Sequence, residues 1–202
     1  MGEIDDSAQC MLSFCEGDDT AFDALFARWS QPLLHYVQRI LGEQALAEEV
    51  VQETFLRVYR ARDRYKVEAR FSTWLYRIGT NLALNELRRA VRKQPHSRIE
   101  EGYSEQEDGR GDQIPSSRGV VRHLESTERL SDERLETRQK TERVQAGLEQ
   151  LPERQRAALW LCSVDGLTYG EAAQVLETTE KSVKSLVHRG RKTLAELVNI
   201  ND

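Results

Sequence analysis

AEEVVQETFLRVYRARDRYKVEARFSTWLYRIGTNLALNELRR, residues 47–89, reads as two helices joined by a basic loop. The first spans about Ala47 to Arg62. At about 100° per residue its core arc holds Ala47, Val51, Phe55, Val58 and Tyr59. Glu49, Gln52, Glu53, Leu56 and Arg60 recur at three and four residues on the opposite side, one continuous stripe. Such a stripe is either a solvated face or a docking face, because surfaces also carry scattered apolar residues.

The second helix opens at Phe71-Ser72-Thr73, where a hydroxyl can cap the first turn. Leu75, Ile78, Leu82 and Ala83 form its buried arc. Trp74, Arg77, Asn81, Asn85 and Arg88 fall on a stripe beside it. An aromatic ring, two guanidiniums and two carboxamides on one face suit base stacking, phosphate charge and base edges. A lone tryptophan is usually core, but the company of Trp74 favours nucleic acid.

Upstream, Phe22, Leu25, Phe26 and Trp29 recur at helical spacing after a short lead. Leu33, Leu34, Val37, Ile40 and Leu41 continue that helix past Pro32, and Gly42 ends it. Gly17-Asp18-Asp19 supplies turn and cap chemistry ahead of it. These residues are expected to pack on the 47–89 helices as an all-helical domain, residues 1–92. From Lys93 the composition turns polar, with glycines, prolines and mixed charge, so residues 93–140 read as a flexible linker that cannot bury a core of its own. Arg110-Gly111-Asp112 within it is a chance tripeptide.

Residues 141–202 read as a second domain. Val144, Leu148 and Leu151 begin a helix, and Pro152 opens the next. Ala157, Ala158, Leu159, Leu161 and Val164 are its apolar residues, and Gly166 closes it. A short helix over Leu167–Leu176, a turn at Glu177-Thr178-Thr179 and a longer helix from Glu180 to Val198 make a helix-turn-helix. The last helix divides by face. Val183, Leu186, Val187, Gly190, Leu194, Leu197 and Val198 share one arc; Lys181, Lys184, Ser185, His188, Arg189 and Lys192 share the other. A cationic second helix in this motif is better read as a DNA face than as a solvated one.

Twenty-nine basic against 34 acidic residues give a net charge of −5, so DNA contact has to come from local patches. Cys10, Cys15 and Cys162 lack the spacing of a disulfide framework or zinc site. No apolar run is long enough to span a bilayer, and the acidic N-terminus has no secretory pattern. The expectation is a cytoplasmic protein without membrane insertion. No glycine-rich phosphate loop, metal-ligand cluster or catalytic triad is legible, so no enzyme activity, cofactor or metal is expected.

VQETFLRVYR followed by FSTWLYRIGTNLALNELRR resembles region 2 of the extracytoplasmic-function (ECF) sigma factors, small alternative initiation subunits of bacterial RNA polymerase. Ser182–Lys192, SVKSLVHRGRK, resembles the recognition helix of sigma region 4. The resemblance implies an all-α, two-domain subunit that binds core RNA polymerase and recognises the −10 and −35 elements of promoter DNA. It would start transcription in a stress or signal response, and an anti-sigma factor is an expected partner. Glu49, Gln52, Glu53 and Leu56 would dock on the polymerase clamp, and the linker would thread toward the RNA exit path. Lys66, Arg70, Phe71 and Asn81 match the neighbourhood that holds a flipped −10 base in that family; Trp74, Arg77, Asn85 and Arg88 complete the stripe. Lys181, Lys184, Ser185, His188, Arg189 and Lys192 would read the −35 element. Two departures carry meaning. Leu186 stands where many members have arginine, so upstream preference is expected to differ. Only Trp74 occupies the surface where primary sigma factors have a tryptophan pair, which fits the class that melts fewer promoters. A conventional operator-binding regulator is the alternative, but it has no need of the 47–89 block; an enzyme is a distant third.

Overall fold

The computed structural model describes residues 5–93, 144 and 146–199. The fold is all-α, in two helical domains. The first domain contains α1 (Asp6–Glu16), α2 (Asp19–Leu41), α3 (Gln44–Arg60) and α4 (Phe71–Lys93). The second contains α5 (Glu153–Ser163), α6 (Tyr169–Val175) and α7 (Glu180–Asn199). Apart from Lys93, the linker expected at 93–140, with its Arg110-Gly111-Asp112, lies outside the described residues.

α1 is the main departure from the sequence reading, which had only a short lead there. Asp5 Oδ1 accepts from the backbone N–H of Ser7 and Ala8, and Gly17 closes the helix in the left-handed region at φ 116°. Ala8, Met11 and Phe14 are fully buried along one face. Cysteines and serines between them dilute the apolar period that would have announced a helix.

α2 starts on Asp18, which accepts from Thr20 N–H, and runs through Pro32 to Gly42, whose φ of 74° ends it as expected. Leu25, Leu33, Tyr36, Val37 and Ile40 face the core. Phe26, expected there, is 45% exposed and instead packs edge-on against Phe55 at 4.8 Å. α4 crosses α2 closely at Gly79, where a Cβ would lie 2.9 Å from Leu33 Cδ1. Thr80 occupies the same seam. Its hydroxyl donates to Tyr76 O at 2.7 Å, which leaves it to accept from Tyr36 Oη at 2.8 Å. Buried hydroxyls are tolerated here because each finds a partner.

On α3 the expected core arc of Ala47, Val51, Phe55 and Val58 is buried, joined by Val50 and Thr54. Tyr59 corrects the arc. It is 49% exposed, and its ring closes the rim of the aromatic cluster of Phe14 and Phe22 at 5.3 and 5.4 Å. α4 begins at Phe71 as expected, but neither Ser72 nor Thr73 caps it. Asp5 Oδ2 accepts the Phe71 N–H at 3.1 Å, and Thr73 Oγ1 is buried without a partner.

In the second domain Pro152 stands one residue ahead of α5, and Ala157, Ala158 and Leu161 are fully buried under α6 and α7. Val164 is the exception, 60% exposed at the mouth of an apolar cleft of about 440 Å³ beside Trp160, Leu148 and Leu194. α6 starts with a reciprocal capping box: Thr168 Oγ1 accepts from Glu171 N–H, and Glu171 Oε2 accepts from Thr168 N–H. Ala172 and Ala173 bring α6 close to its neighbours, and the turn passes through Glu177 at φ 50° into α7. Among the described residues no helix is long and apolar enough to cross a membrane.

Candidate nucleic-acid interface

The α3 stripe is solvent-facing. Glu49, Gln52 and Arg60 are exposed, and Leu56 is 49% exposed with no apolar cover. Glu53 is partly shielded by its ion pair with Arg57 at 2.8 Å, and that bond holds its carboxyl below the ordinary carboxylate range. The stripe thus has an apolar centre and a polar margin, and Phe26 and Tyr59 add exposed aromatic area on the same domain.

The α4 stripe divides into supported and free residues. Arg77, Asn85 and Arg88 are exposed, as are Lys66 and Arg70 in the preceding loop. Trp74 is half-buried between Tyr65, at 4.9 Å between ring centroids, and Phe71, at 5.8 Å. One part of the indole is therefore core and another faces outward. Phe71 is a correction. Its ring is fully buried against Trp29 and Trp74, so it supports the tryptophan from beneath and offers no surface to a base. Tyr65 is a residue the sequence reading missed. It walls the other side of Trp74, its hydroxyl is buried without a partner, and burial pushes its pKa up to about 12.

Two members of this site are occupied by the second domain. Asn81 Nδ2 donates to Glu177 Oε1 at 3.0 Å, and Arg70 Nε lies 3.3 Å from Glu171 Oε1. Around them the domains share more contacts. Arg156 Nη1 donates to the Arg39 carbonyl at 2.9 Å in the last turn of α2, where a helix has carbonyls without internal partners. The Arg39 guanidinium in turn lies 5.4 Å from the Trp160 ring centroid. Asp165 faces Tyr76 of α4. Burial raises its pKa to about 6, the Tyr76 hydroxyl offsets part of that, and Oδ2 is left without a partner. These pairings span up to 117 residues of sequence, and no local pattern could have revealed them.

On α7 the two faces are as expected up to Leu197, and the side chain of Val198 lies outside the described residues. Val183, Val187 and Gly190 are buried, Leu186 and Leu194 are at the margin, and Lys181, Lys184, Ser185, His188, Arg189 and Lys192 are all exposed. Lys184 is paired with Glu180 at 2.8 Å and sits 5.7 Å from the Tyr169 ring centroid, and Lys192 reaches Glu196 at 3.9 Å. Exposed pairs of this kind are weak and can exchange for phosphate. Arg189 and Lys181 project with Ser185 and His188 from a helix anchored by its apolar side.

Comparison with known proteins agrees with this layout. Residues 25–93 match the family model for Sigma-70 region 2, and residues 141–194 match that for Sigma-70, region 4. The chain is 33% identical over 180 residues to the RNA polymerase sigma-H factor of Pseudomonas aeruginosa, covering 88% of this chain and 86% of that protein. It is 32% identical over 179 residues to the ECF RNA polymerase sigma-E factor of Escherichia coli K12, covering 89% and 87%. Among solved structures, CnrH in complex with the cytosolic domain of CnrY shares the fold with a TM-score of 0.64 at 22% identity, over 98% of this chain and 100% of that one. RpoE of Bartonella quintana, solved with the anti-sigma factor NepR, gives 0.63 at 21% identity, over 90% and 98%.

Proposed function

The chain belongs to the ECF sigma factors of bacterial RNA polymerase, and from that premise we propose how its surfaces divide the work. It is an alternative sigma factor, acting in promoter recognition and transcription initiation, and its family is non-enzymatic. In our reading residues 1–92 bind core polymerase and read and open the −10 element, residues 141–202 read the −35 element, and residues 93–140 tether the two. The α3 stripe of Glu49, Gln52, Glu53 and Leu56 docks on the polymerase clamp. Lys66, Arg70, Trp74, Arg77, Asn81, Asn85 and Arg88 engage the −10 strand, with Phe71 and Tyr65 holding the indole in place. Lys181, Lys184, Ser185, His188, Arg189 and Lys192 face the −35 duplex. An anti-sigma factor covers part of these surfaces when the signal is absent, as NepR accompanies its sigma factor in the Bartonella complex.

The observation that carries this reading is the exposed α3 stripe. Its lone apolar centre serves no packing role, and an operator-binding regulator would gain nothing from it. Reconstitution tests it. The purified chain, mixed with core polymerase and a library of promoter fragments, is expected to start transcription from a subset sharing two spaced elements. Retention of the same fragments without polymerase, and no initiation with it, would favour the operator-binding alternative.

A further inference from the structure

The loop between α3 and α4 is tied down at its entry, middle and exit, each time toward α1 or the head of α2. At the entry, the Arg62 guanidinium lies 4.8 Å from the Phe14 ring centroid, and its Nη1 is 3.3 Å from Asp19 Oδ1. A Cβ at Gly17 would lie 3.5 Å from Arg62 Nη2, so the side chain runs along the turn that joins α1 to α2. In the middle, Tyr65 packs on Trp74; burial first, and then the charges of Asp5 and Cys15, raise its phenol, which places the hydroxyl on the α1 side. At the exit, Asp5 Oδ2 accepts the Phe71 N–H at 3.1 Å. Between the last two ties Lys66, Val67, Glu68 and Arg70 are exposed, and Glu68 N–H closes a tight turn on the Lys66 carbonyl at 3.0 Å. We propose that α1 is the positioning element of the −10 loop, and that Arg62 sets which base the loop accepts without touching that base.

α1 has this role only if Lys66 and Arg70 engage the −10 strand, so the inference rests on that reading and deepens it. Two arginines of one basic segment have opposite surroundings. The Arg70 side chain is 70% exposed, whereas that of Arg62 is 29% exposed, held by a carboxylate and an aromatic face. α1 contains no basic residue, so it has no cation of its own to offer a phosphate and acts through the loop it holds. The region 2 match begins at residue 25, beyond α1 and Asp19 alike, and assigns neither of them a task.

A loop fixed at its ends and middle has little freedom left to lose when a base arrives, so its contacts discriminate between bases. A loosened loop adapts to any base and discriminates less. The Arg62 tie is an exposed ion pair and a cation over a ring, both individually weak. Its loss loosens the loop while Ala8, Met11 and Phe14 stay in the core.

The test uses the full chain with core polymerase. The probe is a promoter fragment that the parent transcribes, pre-opened across the −10 element, with each position there varied through four bases. Arg62→Met keeps a long apolar stem over Phe14 and removes the cation; Arg62→Lys keeps a cation. Asp19→Asn weakens the same tie from a side chain that is 77% exposed, so it decides alone if Arg62→Met fails to fold. The strongest base preference of the parent is expected to fall about threefold in Arg62→Met and less in Asp19→Asn, and to return toward the parent in Arg62→Lys. Affinity for polymerase and for the −35 element should not change. Trypsin cleavage of the free chain after Lys66, followed by mass spectrometry, should be about fivefold faster in Arg62→Met, because the cut follows the population of released loop. A parent-like preference in Arg62→Met and Asp19→Asn, or a rate lowered equally for all four bases, overturns the positioning role whatever the cleavage shows. Lys66→Ala and Arg70→Ala tell the two failures apart. If neither changes the rate or the preference, the −10 assignment of the loop falls and the role of α1 with it; if they do and Arg62→Met does not, the positioning role alone falls.

Discussion

Asp5 caps two helices with one carboxylate: Oδ1 accepts from the first turn of α1, and Oδ2 accepts the Phe71 N–H that opens α4, 66 residues away. Each cap is worth about 0.5–2 kcal/mol. Asp5→Ala should therefore lower the stability of the first domain by about 2 kcal/mol in urea titration. Asp5→Asn offers a single acceptor oxygen and should lose about half as much. Stabilities equal to the parent for both variants would show that Phe71 is held by packing alone.

That bond also marks what the sequence could convey. Val51, Phe55 and Val58 announce their burial through spacing, as do Val183 and Val187 on α7, because one helix face packs on one core. Phe71 has the right neighbours for DNA stacking, and nothing local says that Trp29 lies over it. Tyr59 and Val164 satisfy an apolar period yet sit at the ends of their helices, where the core has run out. Glu171 announces its capping box through the Thr168 spacing, but its second partner, Arg70, comes from another domain. The polar stripe of α4 was legible as a stripe; the contact of its Asn81 with Glu177 was not, since a tertiary contact across 96 residues has no periodicity.

The α3 stripe yields a prediction in which folding and binding separate. Gln52, Glu53 and Leu56 contribute little to the core, and the Glu53–Arg57 pair is worth about 0.2–0.5 kcal/mol. Alanine at all three should leave thermal unfolding nearly unchanged and weaken association with core polymerase, measured by competition against the parent. Lost stability with unchanged polymerase affinity would identify the stripe as structural.

On α7, Arg189→Ala or Lys184→Ala should weaken binding to the −35 element by about 1–3 kcal/mol where the contact is bidentate to a base. A phosphate contact would instead lower affinity for all sequences alike and reduce the salt dependence. Competition binding at two salt concentrations tells these apart. Normal transcription from every dependent promoter in both variants would remove α7 from DNA reading.

Asp165 makes the closure of the second domain on the first sensitive to acid. The groups facing it are the phenols of Tyr76 and Tyr36, both kept neutral by burial, so no cation among them offsets its charge. Its pKa near 6 in the closed arrangement lies above the ordinary 3.8, so the closed form holds a proton that an open form releases. Closure is accordingly weakest above that range and strengthens as pH falls from 7 toward 5. Small-angle scattering should show compaction of the parent over that interval. Asp165→Asn, which mimics the protonated carboxyl, should be compact throughout and lose this response. An equal response in both proteins would assign it to the histidines instead.

Asn81 separates duplex reading from strand opening. It lies one turn from Arg77 and Asn85, beside the supported face of Trp74, and its carboxamide can meet a base edge only after that base has left the stack. Asn81→Ala should keep polymerase binding and −35 recognition while impairing transcription from duplex promoters, with altered preference at one −10 base. A template already mismatched there should recover part of the rate, because extraction of a base costs a few kcal/mol that no longer has to be supplied. The altered preference should persist on that template, since the proposed contact of the carboxamide is with the base itself. The substitution also deletes the hydrogen bond to Glu177, so the free variant should expand in solution even where its promoter activity falls. Parent-like rates for every base at that position, on duplex and pre-opened templates alike, would leave Asn81 with the interdomain contact as its whole role.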